Sequence, residues 1–164
     1  MSRIKKAVYE EPQELIEMEK RLMPLMLLEA NEGESVEGIT RLQKLIFLAQ
    51  KEGDGIDEEY QFKPGKYGPY SRPLYDDVDR LVDEDFISES IEPNPFGNEK
   101  KVYELEDNGE QLLENPSQFV DNPGELRDSI EKIKEEYNEM GFWELLEYVY
   151  ENYPKMAENS ELNI

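Results

Sequence analysis

Asp76, Asp79 and Asp83 stand three and four residues apart in SRPLYDDVDRLVDED, a spacing that lines three carboxylates along one face of a helix. Oxygen ligands of this kind suit calcium or magnesium, and matched carboxyl pairs can act as acid and base. A straight helical face does not wrap an ion, however. No EF-hand loop accompanies it, and nothing marks a matched pair, so these acids read as a solvated face. The chain has neither histidine nor cysteine. That excludes Ser-His-Asp and Cys-His catalysis, zinc–thiolate sites and disulfides. No phosphate loop, dinucleotide fingerprint or H-E-x-x-H motif occurs. The expectation is a protein without catalytic residues, metal or cofactor. A carboxylate-dependent hydrolase relying on Asp76 or Asp79 is the minor alternative.

A second set of residues could bind rather than react. Forty acidic residues face 18 basic ones, for a net charge of −22. Against that background YQFKPGKYGPYSRPLY, residues 60–75, contains no acid, and neither do residues 38–51. Together they hold Arg41, Lys44, Lys63, Lys66 and Arg72, with Tyr67 and Tyr70 between them. Lys100 and Lys101 can extend the group. If the two segments lie side by side, these cations form one basic island. Tyrosines offer rigid contact area with a polar tip, and lysines steer an approaching partner. Phe62 and Tyr67 are expected to anchor the turn while Lys63, Lys66, Tyr70 and Arg72 face outward. The plainer reading of Tyr67, Gly68 and Pro69 is a packed turn that fixes the angle between helices. The acidity has two readings of its own: adaptation to high salt, or a face for a basic partner.

The elements that must position these residues follow from periodicity. Residues 1–11 read as a flexible arm. Pro12 opens a helix carrying Leu15, Met18 and Leu22, which Pro24 interrupts or restarts before LMLLEAN. GITRLQKLIFLAQKEG is the clearest helix, with Thr40 as N-cap, Gly53 as stop, and Leu42, Leu45, Ile46 and Ala49 on one stripe. Arg41, Lys44 and Lys51 fall off that stripe. Residues 60–63 alternate as a short strand before the PGKYGP turn. Ser71 caps a helix with Leu74, Val78, Leu81 and Val82 inward and Asp76, Asp77, Asp79 and Asp83 outward. Phe86–Ile87 and Lys101–Leu105 pair as strands around a loop, EPNPFGNEK. A short helix begins at Asp107 or Asn108. Residues 116–156 form a C-terminal helical extension packing on the 12–115 core, with Trp143, Leu146, Val149 and Tyr150 docking. Residues 157–164 fray. This order, mostly α with a small β-hairpin, is that of a winged-helix-like fold.

GITRLQKLIFLAQ, then YQFKPGKYGPYSRPLYDDVDRL, then ISES and YVYENYPKMAENS, resembles the bacterial and archaeal YwgA-like proteins. It is more distantly similar to the Panacea-domain (SocA-like) antitoxins, which share an LQKL-type helix followed by an aromatic YGP turn. The resemblance spans roughly Leu25 to Ser160. It implies a winged-helix-like fold and an antitoxin or regulatory association, and it carries over no catalytic residue. The expected function is therefore non-catalytic regulatory binding of a protein partner. The alternative is a DNA-binding transcriptional regulator, using the basic island on phosphates and preferably dimeric. The helix from Ser71 argues against the second, because its exposed carboxylates would be repelled by phosphates. No apolar run is long enough to span a membrane, no membrane partner is expected, and the expected location is the cytoplasm.

Overall fold

The computed structural model describes residues 12–93 and 99–162, with residues 12–18 described by backbone alone. The arm at 1–11 and the tip of the EPNPFGNEK loop lie outside the described residues. The protein is mostly helical with two small antiparallel sheets. In chain order the elements are α1 (Pro12–Gly33), β1 (Val36–Glu37), α2 (Ile39–Glu52), β2 (Lys63–Gly65), β3 (Gly68–Tyr70), α3 (Arg72–Asp83), β4 (Ile87–Pro93), β5 (Glu99–Leu105), α4 (Asp107–Leu112), α5 (Pro123–Tyr137) and α6 (Phe142–Asn152). Short 3-10 turns follow α4 at Pro116–Gln118 and α6 at Pro154–Ala157.

Helix α2 is the centre of the molecule. Every residue from Leu42 to Gln50 is buried, on all sides of the helix. A helix surrounded in this way must be covered by several neighbours. Leu22, Leu25 and Met26 of α1, Leu74 and Val78 of α3, and Ile130 and Leu145 of the C-terminal helices share its apolar core. The C-terminal helices thus complete the core around α2. Its N-cap is Gly38 rather than Thr40, and no side chain caps it. Gly53 closes the other end, its N–H bonded to the Ala49 carbonyl.

Helix α1 runs through Pro24. Its helical dihedrals fail at its end, at Ala30, Asn31, Glu32 and Gly33. Proline lacks the N–H that would bond the carbonyl four residues back, at Lys20. That carbonyl instead lies 3.1 Å from the Tyr60 hydroxyl, whose single proton it shares with the Asp77 carboxylate. Asn31 and Glu32 take positive φ angles of 53° and 56°. Such left-handed residues cost about 1 kcal/mol or more each. Both oxygens of Glu131 accept the Asn31 N–H at 2.9 Å. Lys134, fully buried, donates to the carbonyls of Ala30 at 2.7 Å and Glu34 at 2.5 Å.

The larger sheet has the order β1-β5-β4, all antiparallel. Val36 lies opposite Tyr103, and Ile87 opposite Leu105. The smaller sheet is the hairpin β2–β3, in which Lys63 faces Tyr70 and Gly65 faces Gly68. Residues 60–62 are not strand, contrary to the alternation there. Tyr60 has both backbone groups bonded to the Gln50 carboxamide instead. Residues 157–162 lie against this hairpin instead of fraying. Asn159 Nδ2 donates to the Pro64 carbonyl at 3.0 Å, and the Glu161 N–H to that of Lys66 at 3.1 Å.

Candidate partner groove and adjoining cleft

The segment 60–71 is held at both ends by two glutamines of α2, placed two helical turns apart. The Gln50 carboxamide donates to the Tyr60 carbonyl and accepts from the Tyr60 N–H, both at 2.9 Å. Gln43 does the same for Ser71, at 3.0 and 2.9 Å. Each side chain imitates the edge of a neighbouring strand. All four backbone groups are satisfied in a site closed to water, where an orphaned group would cost about 1–3 kcal/mol. Ser71 also caps α3, accepting the Leu74 N–H at 3.3 Å. The Tyr60 hydroxyl donates to Asp77 at 2.8 Å, and Asp77 also meets Arg21 at 3.5 Å. Asp77 is therefore half-buried, not one of the outward acids. Burial, then Asp77, pushes the Tyr60 phenol well up.

Between these clamps the hairpin turns Tyr67 and Tyr70 into solvent, 46% and 38% exposed. Tyr67 is not an anchor. Phe62 takes that role, packing edge-on against Phe47 with ring centroids 5.4 Å apart. Tyr67, Pro69, Tyr70 and Tyr75 line a groove of about 500 Å³ with Ile39 and the Gly65 backbone. Tyr70 and Tyr75 rings lie 6.4 Å apart at 45°. Gly68, at φ +112°, is required here. A Cβ would come within 3.1 Å of Lys44 Cε and 3.3 Å of Leu146 Cδ1, in a conformation side chains rarely adopt.

The expected basic island is divided in two. Lys63, Lys66 and Arg72 are exposed around the groove. Lys66 meets Glu161 at 3.5 Å, and Arg72 meets Asp76 at 2.9 Å. Arg41, Lys44 and Lys100 line a separate cleft of about 760 Å³. Thr40 touches both hollows. Lys101 joins neither, and pairs with Glu89 at 3.6 Å. Lys100 pairs with Glu37 at 3.0 Å. Arg41 donates to the carbonyls of Asn138 at 2.9 Å and Met140 at 2.7 Å, closing the C-terminal end of α5.

Lys44 departs most from expectation. It was expected off the apolar stripe and open to a partner, but it is 1% exposed. The α6 helix and the β3 strand cover the face of α2 that periodicity leaves outside. Burial, then the neighbouring Arg41 charge, lowers its pKa to about 8. Its Nζ stands 4.9 Å from the Phe142 ring centroid. Trp143 was expected to dock, yet it is 54% exposed at the lip of this cleft. Leu145, Leu146 and Val149 are the buried residues of α6, and Tyr150, half-buried, packs against the core as expected.

The two glutamines and the Phe142–Trp143 lip were missed in reading the sequence. The signal for the first was present: Gln43 and Gln50 interrupt an otherwise apolar surface at helical spacing. Among the described residues no group of three or more acids is placed to hold a metal ion, and no helix is long and apolar enough to cross a membrane. Compared with known proteins, the chain matches no family model and no curated protein.

Proposed function

We propose that this is a non-catalytic regulatory module of winged-helix type, which takes an extended, proline- and aliphatic-rich segment of a partner protein into the tyrosine groove. The topology supports the fold reading. A short strand after the first helix joins the edge of the β4–β5 hairpin, and two further helices lie between, as in winged helices. The resemblance to YwgA-like proteins and Panacea-domain antitoxins agrees with a regulatory role. The observation that carries the function is the groove itself. Three tyrosines and a proline form an almost wholly apolar lining, on a chain of net charge −22. Tyrosine-lined grooves accept polyproline-type segments because these are already extended and lose little entropy on docking. Lys63, with no ion pair among the described residues, Lys66 and Arg72 guide the approach at the rim.

Helix α3 weighs against the DNA-binding reading. Asp76, Asp79 and Asp83 are exposed along it and would meet phosphates with like charge. The test is a selection of displayed proline-containing peptides on the whole protein, with counter-selection on a Tyr67→Ala/Tyr70→Ala variant. Peptides that bind the wild type and not the variant support the proposal. A selection that yields none, or only peptides that bind both proteins equally, overturns it. Binding of mixed-sequence duplex DNA that weakens with salt would favour the regulator of transcription instead.

A further inference from the structure

The cleft beside the groove has a different chemistry. Two helices begin in its wall, α2 at Gly38 and α6 at Gly141, and neither has a side-chain cap. Helix N-termini present free N–H groups and a partial positive charge, and favour anions. The first turn of α2 holds no acid, while that of α6 holds Glu144, so α2 is the better anion site of the two. Lys44 supplies an independent sign. Among the described residues its ammonium makes no hydrogen bond or ion pair, and it meets only the Phe142 ring.

The contrast with Lys134 is direct. That lysine is also buried, and it donates to the carbonyls of Leu28, Ala30 and Glu34. Lys134 is a structural ammonium whose donors are engaged. Lys44 has a buried stem, and its ammonium reaches the wall of an open cleft with no protein acceptor among the described residues. Charges in such surroundings are normally paired.

We infer that the cleft binds a nucleoside monophosphate, with its phosphate at Lys44 and its base against the Phe142–Trp143 lip. Three features select this class. The rings of Phe142 and Trp143 stand edge-to-face at 5.1 Å, both exposed, and offer a stacking surface. Arg41, Lys44 and Lys100 are matched by Glu34, Glu37 and Glu139, three charges of each sign, which weighs against the higher charge of a di- or triphosphate. The volume of about 760 Å³ suits a ligand of that size.

Trp143 is the only tryptophan of the chain, so its fluorescence reports on this lip alone. The experiment titrates the full-length protein with AMP, GMP, CMP, UMP and inorganic phosphate, followed by Trp143 fluorescence and by calorimetry. At least one nucleotide is expected to give a saturable change, with inorganic phosphate at least about tenfold weaker. Lys44→Met is expected to lower that affinity by at least about tenfold, the loss of a charge-assisted contact. Trp143→Leu, at an exposed site that cannot unfold the protein, is expected to weaken binding in calorimetry. No saturable response to any nucleotide at millimolar concentration overturns the inference. So does phosphate that binds as tightly as the best nucleotide, or affinity unchanged in both variants. None of these results bears on the peptide groove, whose tyrosines are not altered.

Discussion

Gln43 and Ser71 hold one another through both backbone groups of the serine: Nε2 donates to its carbonyl at 3.0 Å, and Oε1 accepts its N–H at 2.9 Å. This pair ties the central helix to the point where the tyrosine hairpin becomes α3. Gln43→Ala leaves two buried backbone groups without partners. A loss of about 2–4 kcal/mol is expected in urea unfolding. Amide exchange should quicken first at residues 63–71, ahead of the rest of the molecule. Uniform loss of protection would show that the clamp does not act locally.

The groove residues behave in the opposite way. Tyr67 and Tyr70 are exposed, so their replacement by alanine is expected to change stability by less than about 0.5 kcal/mol. Lys66→Glu with Arg72→Glu should likewise leave the thermal midpoint nearly unchanged, because both cations lie in exposed ion pairs. Peptide affinity should nevertheless fall in each case. Thermal scans and calorimetry on the same samples check both halves of this expectation.

Lys44 has a cost that depends on pH. Its folded-state pKa is lowered from 10.5 to about 8, by burial first and then by Arg41. The charged and titratable groups that share its cleft are Arg41, Lys100, Glu34, Glu37 and Glu139. Below pH 8 both folded and unfolded chains carry the proton, and the penalty on the folded state is fully present. Between pH 8 and 10.5 the folded chain gives up its proton first, and the penalty is relieved. Lys44→Met should therefore stabilise the protein by roughly 2–3 kcal/mol near neutral pH. That advantage should shrink as the pH rises toward 10. Denaturant unfolding of both proteins across this range measures it. A buried lysine that costs stability is what a ligand site, rather than a packing role, would retain.

Glu52 tests how the C-terminal helices are joined to α2. Its carboxylate accepts the hydroxyls of Tyr137, of Tyr148 at 2.8 Å and of Tyr153 at 2.7 Å. Burial, and then these bonds, push the Tyr137 and Tyr153 phenols up. Glu52→Leu removes the acceptor from three phenols at once. About 2–4 kcal/mol of lost stability is expected. In the wild type the raised phenols ionise in the unfolded chain first, so stability should decline above about pH 10. Glu52→Leu should flatten that decline.

Where local chemistry governs, the sequence was readable. Ser71 was expected to cap α3, and it does so because its own hydroxyl reaches the Leu74 N–H three residues on. Gly53 was expected to stop α2 and does. Pro24 was expected to interrupt or restart α1, and the helix instead runs through it: the Lys20 carbonyl that its missing N–H leaves lies 3.1 Å from the Tyr60 hydroxyl, and nothing near Pro24 reveals this. Lys44 and Trp143 exchanged their expected places for a similar reason. Helical periodicity gives the stripe of one helix, but not how many neighbours cover it. Around α2 they cover every side, and at the start of α6 they cover none. The basic island failed as a single patch because segments 38–51 and 63–72 meet at a ridge, with Thr40 and Gly68 between the two hollows. The groove was legible as a tyrosine-rich turn. Its glutamine clamps were not, because side chains that pair with a distant backbone leave only a polar residue on an apolar face.

The most direct measurement of the central claim is amide chemical-shift mapping of the protein with its best selected peptide. Docking in the tyrosine groove predicts shifts concentrated at residues 39–43 and 65–75, absent in the Tyr67→Ala/Tyr70→Ala variant. Shifts centred on the exposed acids of α3, or on β4 and β5, with the groove amides unmoved, would contradict it.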